Sequence, residues 1–433
     1  MRVRRLQPLT ILLWAFLVAP SYAQTASNAP GEALQEATPA SAGMSPDRLQ
    51  RIDAMLAEAV DEMHIPGAVA LVARHGKIVY WKAHGTADAP AGRMLERDAI
   101  FRIASQTKAV TSTAVMMLWE EGHFQLDDPV SRYIPAFADP QVLDTFNEAD
   151  SSYTGVPAAR EITIRHLLTH TSGLGYGVID GDERFRKMYA KAGVTDLFTT
   201  EPISIEESVL KLAALPLHHN PGEGFTYSEG LDVLGYFVEV ISGMPFDEFL
   251  RVRLFEPLGM SDTAFYLPAN QADRLVAVQQ KGDSGEWERW PVTFYDPDYP
   301  ITGARRFFSG GAGLSSTALD YATFLQMYLN GGVLGGVRIL SRTTIDFMMK
   351  NQIGDQWGGN HYGLAFGLLN DSQHSQGGRG SIGTFDWGGY FNTQYFADPA
   401  EGVVGILMKQ TQGPIRDDTS WKFRLLVGAA IDD

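Results

Sequence analysis

The chain contains no cysteine, yet its first 23 residues have the form of a secretory leader. Arg2, Arg4 and Arg5 make a basic start, Leu9 to Ala19 an apolar core, and Ser21-Tyr22-Ala23 a small-x-small site that predicts cleavage before Gln24. A chain exported to the periplasm or the medium without disulfides must hold its fold by burial alone. The composition is 45% hydrophobic, and the roughly 410 residues after the leader are enough for a large core in two structural parts. The lack of cysteine also removes a thiol nucleophile and thiolate metal sites. The leader's apolar run is too short for a comfortable membrane span, and no later stretch reaches the ~20 apolar residues needed. Loss of the leader takes away three arginines and no acids, moving the formal charge from −16 to −19. That charge disfavours nucleic acid and anionic membrane surfaces as partners.

Residues 24–43 are rich in Ala, Ser, Thr and Pro and read as a flexible leader. Ser45-Pro46 then supplies an N-cap with proline at the first helical position, and Leu49, Ile52, Leu56 and Val60 follow at helical spacing. Two β-rich runs, 68–74 and 77–83, are joined by His75-Gly76, a two-residue hairpin turn. A helix is predicted from Ala104 to about Glu121. From 119 to 305 the pattern is mainly helical with long loops, clearest at 231–241 and 246–254. Strands return at 393–397 and 403–409, and an amphipathic helix closes the chain over about 419–431. These elements predict an α+β fold. An antiparallel sheet flanked by helices is built from residues 44–118 and 306–433, and the mainly helical part 119–305 is inserted between them.

Ser105-Gln106-Thr107-Lys108 lies at the mouth of the predicted 104–121 helix. Residues three apart share a helix face, so Lys108 can lean against the Ser105 hydroxyl, which needs a neighbouring base to become a nucleophile. The helix N-terminus adds free N–H groups for a developing oxyanion. Alone, this pattern also fits a plain N-cap followed by a solvated lysine. Ser208-Val209-Leu210-Lys211 repeats it behind Glu206 and Glu207, where it reads as an ordinary exposed helix start.

Three further segments separate the two cases: His166-Leu167-Leu168-Thr169-His170-Thr171-Ser172-Gly173-Leu174, Pro221-Gly222-Glu223-Gly224-Phe225-Thr226-Tyr227-Ser228-Glu229, and Phe385-Asp386-Trp387-Gly388-Gly389-Tyr390. With Ser105-x-x-Lys108 they stand in the order of the serine β-lactamase and penicillin-binding-protein superfamily. The chain resembles its class C-like branch, and through Trp387-Gly388-Gly389 most of all the family VIII carboxylesterases. The likeness runs from about Ser45 to the C-terminus and includes Glu256-Pro257-Leu258-Gly259-Met260 and Gly310-Gly311-Ala312-Gly313-Leu314.

The resemblance implies a β-lactamase-like fold and assigns roles. Ser105 is the nucleophile, Lys108 its base or proton relay, and Tyr227 a phenolate-like base or relay. The backbone N–H groups of Ser105 and Tyr390 form the oxyanion hole, with Gly388 and Gly389 allowing close approach. Trp387, Gly388, Gly389, Glu229 and Tyr176 face substrate. Which of Lys108 and Tyr227 takes the proton stays open. Trp387 stands where β-lactamases carry a cation, and Glu229 where they carry an amide. An aromatic wall suits a neutral acyl or aryl group, whereas an anionic Glu229 near Lys108 would disfavour an anionic substrate and hold Lys108 charged.

The expected activity is therefore hydrolysis of small carboxylic esters through an acyl-enzyme, with no metal or organic cofactor required. The rivals are a β-lactamase, a D-amino-acid peptidase or an acyltransferase of the same fold, or a non-catalytic peptidoglycan-binding relative. Other signals are set aside. His166 and His170 stand at i, i+4 but lack the glutamate of a zinc-protease helix and read as structural. His218-His219 reads as incidental and Gly282-Asp283-Ser284-Gly285 as a surface turn, and no Gly-x-Ser-x-Gly elbow occurs. Arg305-Arg306 is either a cation for substrate or a loop cap.

Overall fold

The computed structural model describes residues 33–413 and 415–433. The expected secretory leader, and the first part of the flexible stretch after it, lie outside the described residues. Nine strands form the main sheet: β1 (Gln35–Glu36), β2 (Gly67–Arg74), β3 (Lys77–Asp88), β4 (Arg93–Met94), β5 (His361–Tyr362), β6 (Gly367–Leu368), β7 (Phe385–Gly388), β8 (Gln394–Asp398) and β9 (Val403–Met408). The order is β1-β3-β2-β9-β8-β7-β6-β5, with β4 against β3, and every pairing is antiparallel except β1 with β3. The sheet therefore joins the two chain ends, and β2 meets β9 in its middle, with Val69 opposite Met408 and Arg74 opposite Val403.

Every residue of β2 is buried because both faces of the sheet are covered. Ala68, Ala70 and Val72 face α1 (Pro46–Asp61) and α5 (Thr419–Ala429), together with Val403 and Leu407. Val69, Leu71 and Ala73 face the larger core, with Val404, Ile406 and Met408. This is the period-2 alternation of a strand, made to look continuously apolar by helices on each side. Helix α1 begins as expected, with the Ser45 hydroxyl accepting the Arg48 N–H at 3.4 Å and Pro46 at its start.

Helix α2 (Thr107–Glu120) is buried from Thr107 to Leu118 on all sides, the signature of a central helix. Helices α3 (Gly230–Ser242) and α4 (Ala318–Leu329) also contribute to the larger core.

Three expectations change. The flexible stretch does not extend to Gly43: β1 docks on β3, and Met44 bridges Ile431, because backbone pairing and a buried Met44 hold it. The 119–305 part also carries two hairpins, Gln141–Phe146 with Tyr153–Pro157 and Gln279–Lys281 with Trp287–Arg289. The first is short and exposed over much of its length, so neither face alternates clearly enough to be read. The helix expected over 246–254 widens into a π turn at Arg251–Phe255.

Candidate active site

Ser105 sits where a strand is forced into a helix. Phe101–Arg102 pairs with Ser315–Ser316, and Ile103 N–H donates to the Leu314 carbonyl at 3.0 Å. Ala104 then takes the left-handed region (φ 44°) inside a 3-10 turn, Ala104–Gln106, that runs straight into α2. A non-glycine residue there is strained, and strain of this kind gathers at functional sites. Arg102 anchors the approach: its buried guanidinium donates to the carbonyls of Val276 and Pro297 and to Asp298.

The first turn of α2 clasps the glycine-rich segment 310–314. Thr107 Oγ1 accepts from Leu314 N–H (3.1 Å), Thr111 Oγ1 donates to the Gly310 carbonyl (2.6 Å), and Lys108 Nζ donates to the Gly311 carbonyl (2.8 Å). Lys108 is wholly buried, and its Nζ also lies 3.4 Å from Ser105 Oγ and 2.8 Å from the Tyr176 hydroxyl. Ser105 itself is half-buried. Behind Gly311, the buried Asp232 accepts from Gly311 N–H (3.2 Å) and Ser309 Oγ. Burial raises its carboxyl, and the Lys108 ammonium is among the groups that oppose the rise.

Tyr227 is half-buried, with its ring 4.6 Å from Lys108 Nζ, and Trp387 Nε1 donates to its hydroxyl at 3.4 Å. Its ring also meets that of His170, centroid to centroid at 4.5 Å. His170 Nδ1 accepts the Ser228 N–H, and burial followed by the Lys108 charge holds the imidazole neutral. His166 Nδ1 accepts the Thr163 N–H in a helix cap. Each histidine thus uses Nδ1 to hold a nearby backbone N–H.

The third segment supplies a close approach. Gly389 lies so near the turn before Ser105 that a Cβ would come within 2.5 Å of the Ile103 carbonyl. Gly389 N–H is spent on the Thr393 carbonyl, and Gln412 Nε2 donates to the Tyr390 carbonyl at 2.6 Å, which orients that peptide. Asn392 is tied to Asp417, which pairs with the buried Lys409. The structure thus brings Ser105, Lys108, Tyr227, Trp387, Gly388 and Gly389 together, with Tyr390 at the same turn.

Three readings need correction. Tyr176 is not a pocket wall: it is 1% exposed, and its hydroxyl touches Lys108. Burial, then the neighbouring Tyr227 and acids, push its phenol well above the ordinary range. Glu229 is not an anion facing substrate. It is 2% exposed, and burial, then Asp196, push its carboxyl well above the usual carboxylate range. The inference that it holds Lys108 charged falls with it. His218 is not incidental, since it pairs with the buried Asp180 at 3.1 Å. Arg305 and Arg306 donate to the Leu267 and Pro202 carbonyls as loop caps, and Gly282–Gly285 closes the second hairpin as a turn.

Asp232, Asp196 and Trp357 went unseen in the sequence. Trp357 stacks on Phe225 (4.7 Å, 14°) and lies 6.0 Å from Trp387, extending the aromatic wall. Asp232, three residues past the tyrosine segment, could have been flagged as an acid set between Leu231 and Val233-Leu234 in the apolar first turn of a helix.

Comparison with known proteins agrees with this architecture. Residues 52–430 match the family described as Beta-lactamase. Esterase EstB of Burkholderia gladioli is 32% identical over 83% of this chain and 90% of its own length. The lovastatin esterase of Penicillium rubens is 30% identical, over 85% and 94%. Among solved structures, EstCE1, a hydrolase with promiscuous acyltransferase activity, superposes with a TM-score of 0.74 at 28% identity, covering 89% of this chain and 98% of that one.

Proposed function

The chain belongs to the beta-lactamase family, whose serine hydrolases include esterase and acyltransferase relatives of this protein, and from that premise we propose that it cleaves carboxylic esters through an acyl-enzyme on Ser105. One observation carries the reading: a fully buried lysine whose Nζ is 3.4 Å from the hydroxyl of a partly exposed serine, at the head of a helix. Lys108 and Tyr227 form the relay that takes the Ser105 proton as Oγ bonds to the ester carbonyl carbon. The Ser105 and Tyr390 N–H groups receive the oxyanion, and the proton passes to the departing alcohol. Water then attacks the acyl-enzyme by the same relay in reverse, returning the acid and free Ser105. No step calls on a metal or an organic cofactor.

Trp387, with Trp357 and Phe225 behind it, offers an apolar wall to a neutral acyl or alkoxy group and no cation for a β-lactam carboxylate. An alcohol can take the place of water in the second step, a reading favoured by the acyltransferase activity named for EstCE1. The protein acts after export, following cleavage near Ala23. No helix among the described residues is long and apolar enough to cross a membrane.

The test is covalent trapping with p-nitrophenyl butyrate and an alkyl fluorophosphonate, followed by peptide mass spectrometry. The expected adduct is on Ser105, with hydrolysis of the butyrate far faster than that of a cephalosporin. An adduct elsewhere, or the reverse preference, would refute the proposal. Export is checked by the N-terminal sequence of the protein recovered outside the cytoplasm.

A further inference from the structure

The loop Gly175-Tyr176-Gly177-Val178 is held by an uncommon device. Two backbone N–H groups of the loop donate to acids, Tyr176 N–H to Asp180 Oδ2 at 3.0 Å and Val178 N–H to Asp196 Oδ2, and Glu229 lies beside the Gly177 N–H between them. The glycines on either side of Tyr176 make room for them. A Cβ on Gly175 would fall 2.2 Å from Asp180, and one on Gly177 2.9 Å from Asp196. The Glu229 N–H closes the cradle by donating to the Gly175 carbonyl at 3.1 Å. What the cradle presents is the Tyr176 hydroxyl, 2.8 Å from Lys108 Nζ.

The acids differ in charge. Asp180 is paired with His218, which, with backbone N–H groups, outweighs burial and keeps its carboxyl below the usual range. Glu229 and Asp196 are within hydrogen-bonding reach of one another. Each also has a fully buried oxygen, Glu229 Oε1 and Asp196 Oδ1, that meets no N–H or O–H donor among the described residues. Two acceptor-only carboxylates cannot satisfy each other, but a carboxylic acid and a carboxylate can. The other groups that bear on Glu229 are the Asp232 carboxyl and the phenols of Tyr176 and Tyr189. Lys108, the cation of this region, is engaged by Gly311, Tyr176 and Ser105 and faces Asp232 rather than Glu229.

We propose that Glu229 is a positioning residue: it holds a proton, donates it to Asp196, and so locks the loop that seats the Tyr176 hydroxyl against Lys108. The inference rests on the reading of Lys108 as part of the Ser105 relay.

The experiment compares Glu229→Gln, Glu229→Ala and Tyr176→Phe on p-nitrophenyl butyrate across pH, with thermal unfolding of each. Glutamine reproduces a protonated glutamate, so Glu229→Gln keeps kcat within about threefold at pH 7. Glu229→Ala lowers kcat about 30-fold or more with little change in KM, and adding Tyr176→Phe to it costs little further because both act through the same hydroxyl. The sign of the pH effect follows from the raised carboxyl. Above the ordinary glutamate range the folded chain holds a proton that the unfolded chain has released, so wild-type stability falls as pH rises. The advantage of Glu229→Gln should grow about tenfold in the folding equilibrium per pH unit. A Glu229→Gln enzyme as crippled as Glu229→Ala, or a stability gap that does not widen with pH, would overturn the proposal. If Ser105 takes no label while the gap still widens, the ester-hydrolase reading fails and the protonated tie stands.

Discussion

Replacing Gly389 by alanine tests whether the turn after β7 and the turn before Ser105 form one rigid unit. The added Cβ would lie 2.2 Å from Thr393 Oγ1 and 2.5 Å from the Ile103 carbonyl oxygen. The threonine hydroxyl can rotate away. The carbonyl cannot, because it accepts Gln106 N–H (3.1 Å) in the first turn, and Ile103 N–H is bound to Leu314. Ordinary packing keeps such atoms at least about 3.2 Å apart, so the two segments must part by roughly 0.7 Å. The Tyr390 N–H moves with Gly389, and the Ser105 N–H with Ile103. Misplacement near 1 Å costs about 10²-fold in rate, and loss of one oxyanion donor costs about 10²–10³-fold. We expect Gly389→Ala to lower kcat 30- to 100-fold on p-nitrophenyl butyrate, with KM changed less than threefold. The protein should stay folded by circular dichroism, at an overpacking cost of about 1–3 kcal/mol. Gly388→Ala is the control, since its Cβ meets nothing closer than the Thr393 carbonyl at 3.4 Å. A wild-type kcat in Gly389→Ala, or an equal loss in Gly388→Ala, would refute the reasoning.

Other outcomes can be checked on the same substrate. Ser105→Ala should fold normally and lose turnover and phosphonate labelling. Lys108→Ala and Tyr227→Phe should each cost several orders of magnitude in kcat, and together little more than the worse of the two, as expected of groups acting as a unit. Trp357→Ala should raise KM for aryl esters several-fold while leaving methyl esters nearly unchanged, measured as kcat/KM ratios. Burial raises Asp320 to about 6, so the folded state holds its proton through the pH range in which the unfolded state releases it. Wild-type stability should therefore fall by up to about 3 kcal/mol between pH 4 and 6, and Asp320→Asn should flatten that fall in urea titrations.

The strands about His75-Gly76, helix α1 with its Ser45 cap and the returning strands near the C-terminus were readable because each rests on neighbours in the chain. The exposed hairpin at 141–157 was not, since its strands lack one clear apolar face. Lys108 against Ser105 was readable for the same local reason: one helical turn separates them.

Glu229 shows where such reading stops. From the sequence it was an acid expected to be ionised; in the fold it has Asp196 and Asp232 for neighbours, at separations of 33 and 3 residues, and almost no water. Tyr176 likewise passes from a presumed pocket wall to a partner of Lys108, 68 residues away. The amino-acid order alone was enough for the family, for the strands and helices at the two ends of the fold and for the placing of Lys108 one turn from Ser105, because these depend on short-range geometry and residue type. The tertiary structure alone decided which acids are buried and so pushed toward the neutral form, which tyrosine meets Lys108 and how closely the turn after β7 presses on the turn before Ser105. Charge state and contact distance depend on desolvation and on groups remote in sequence, and neither exists until the chain is packed.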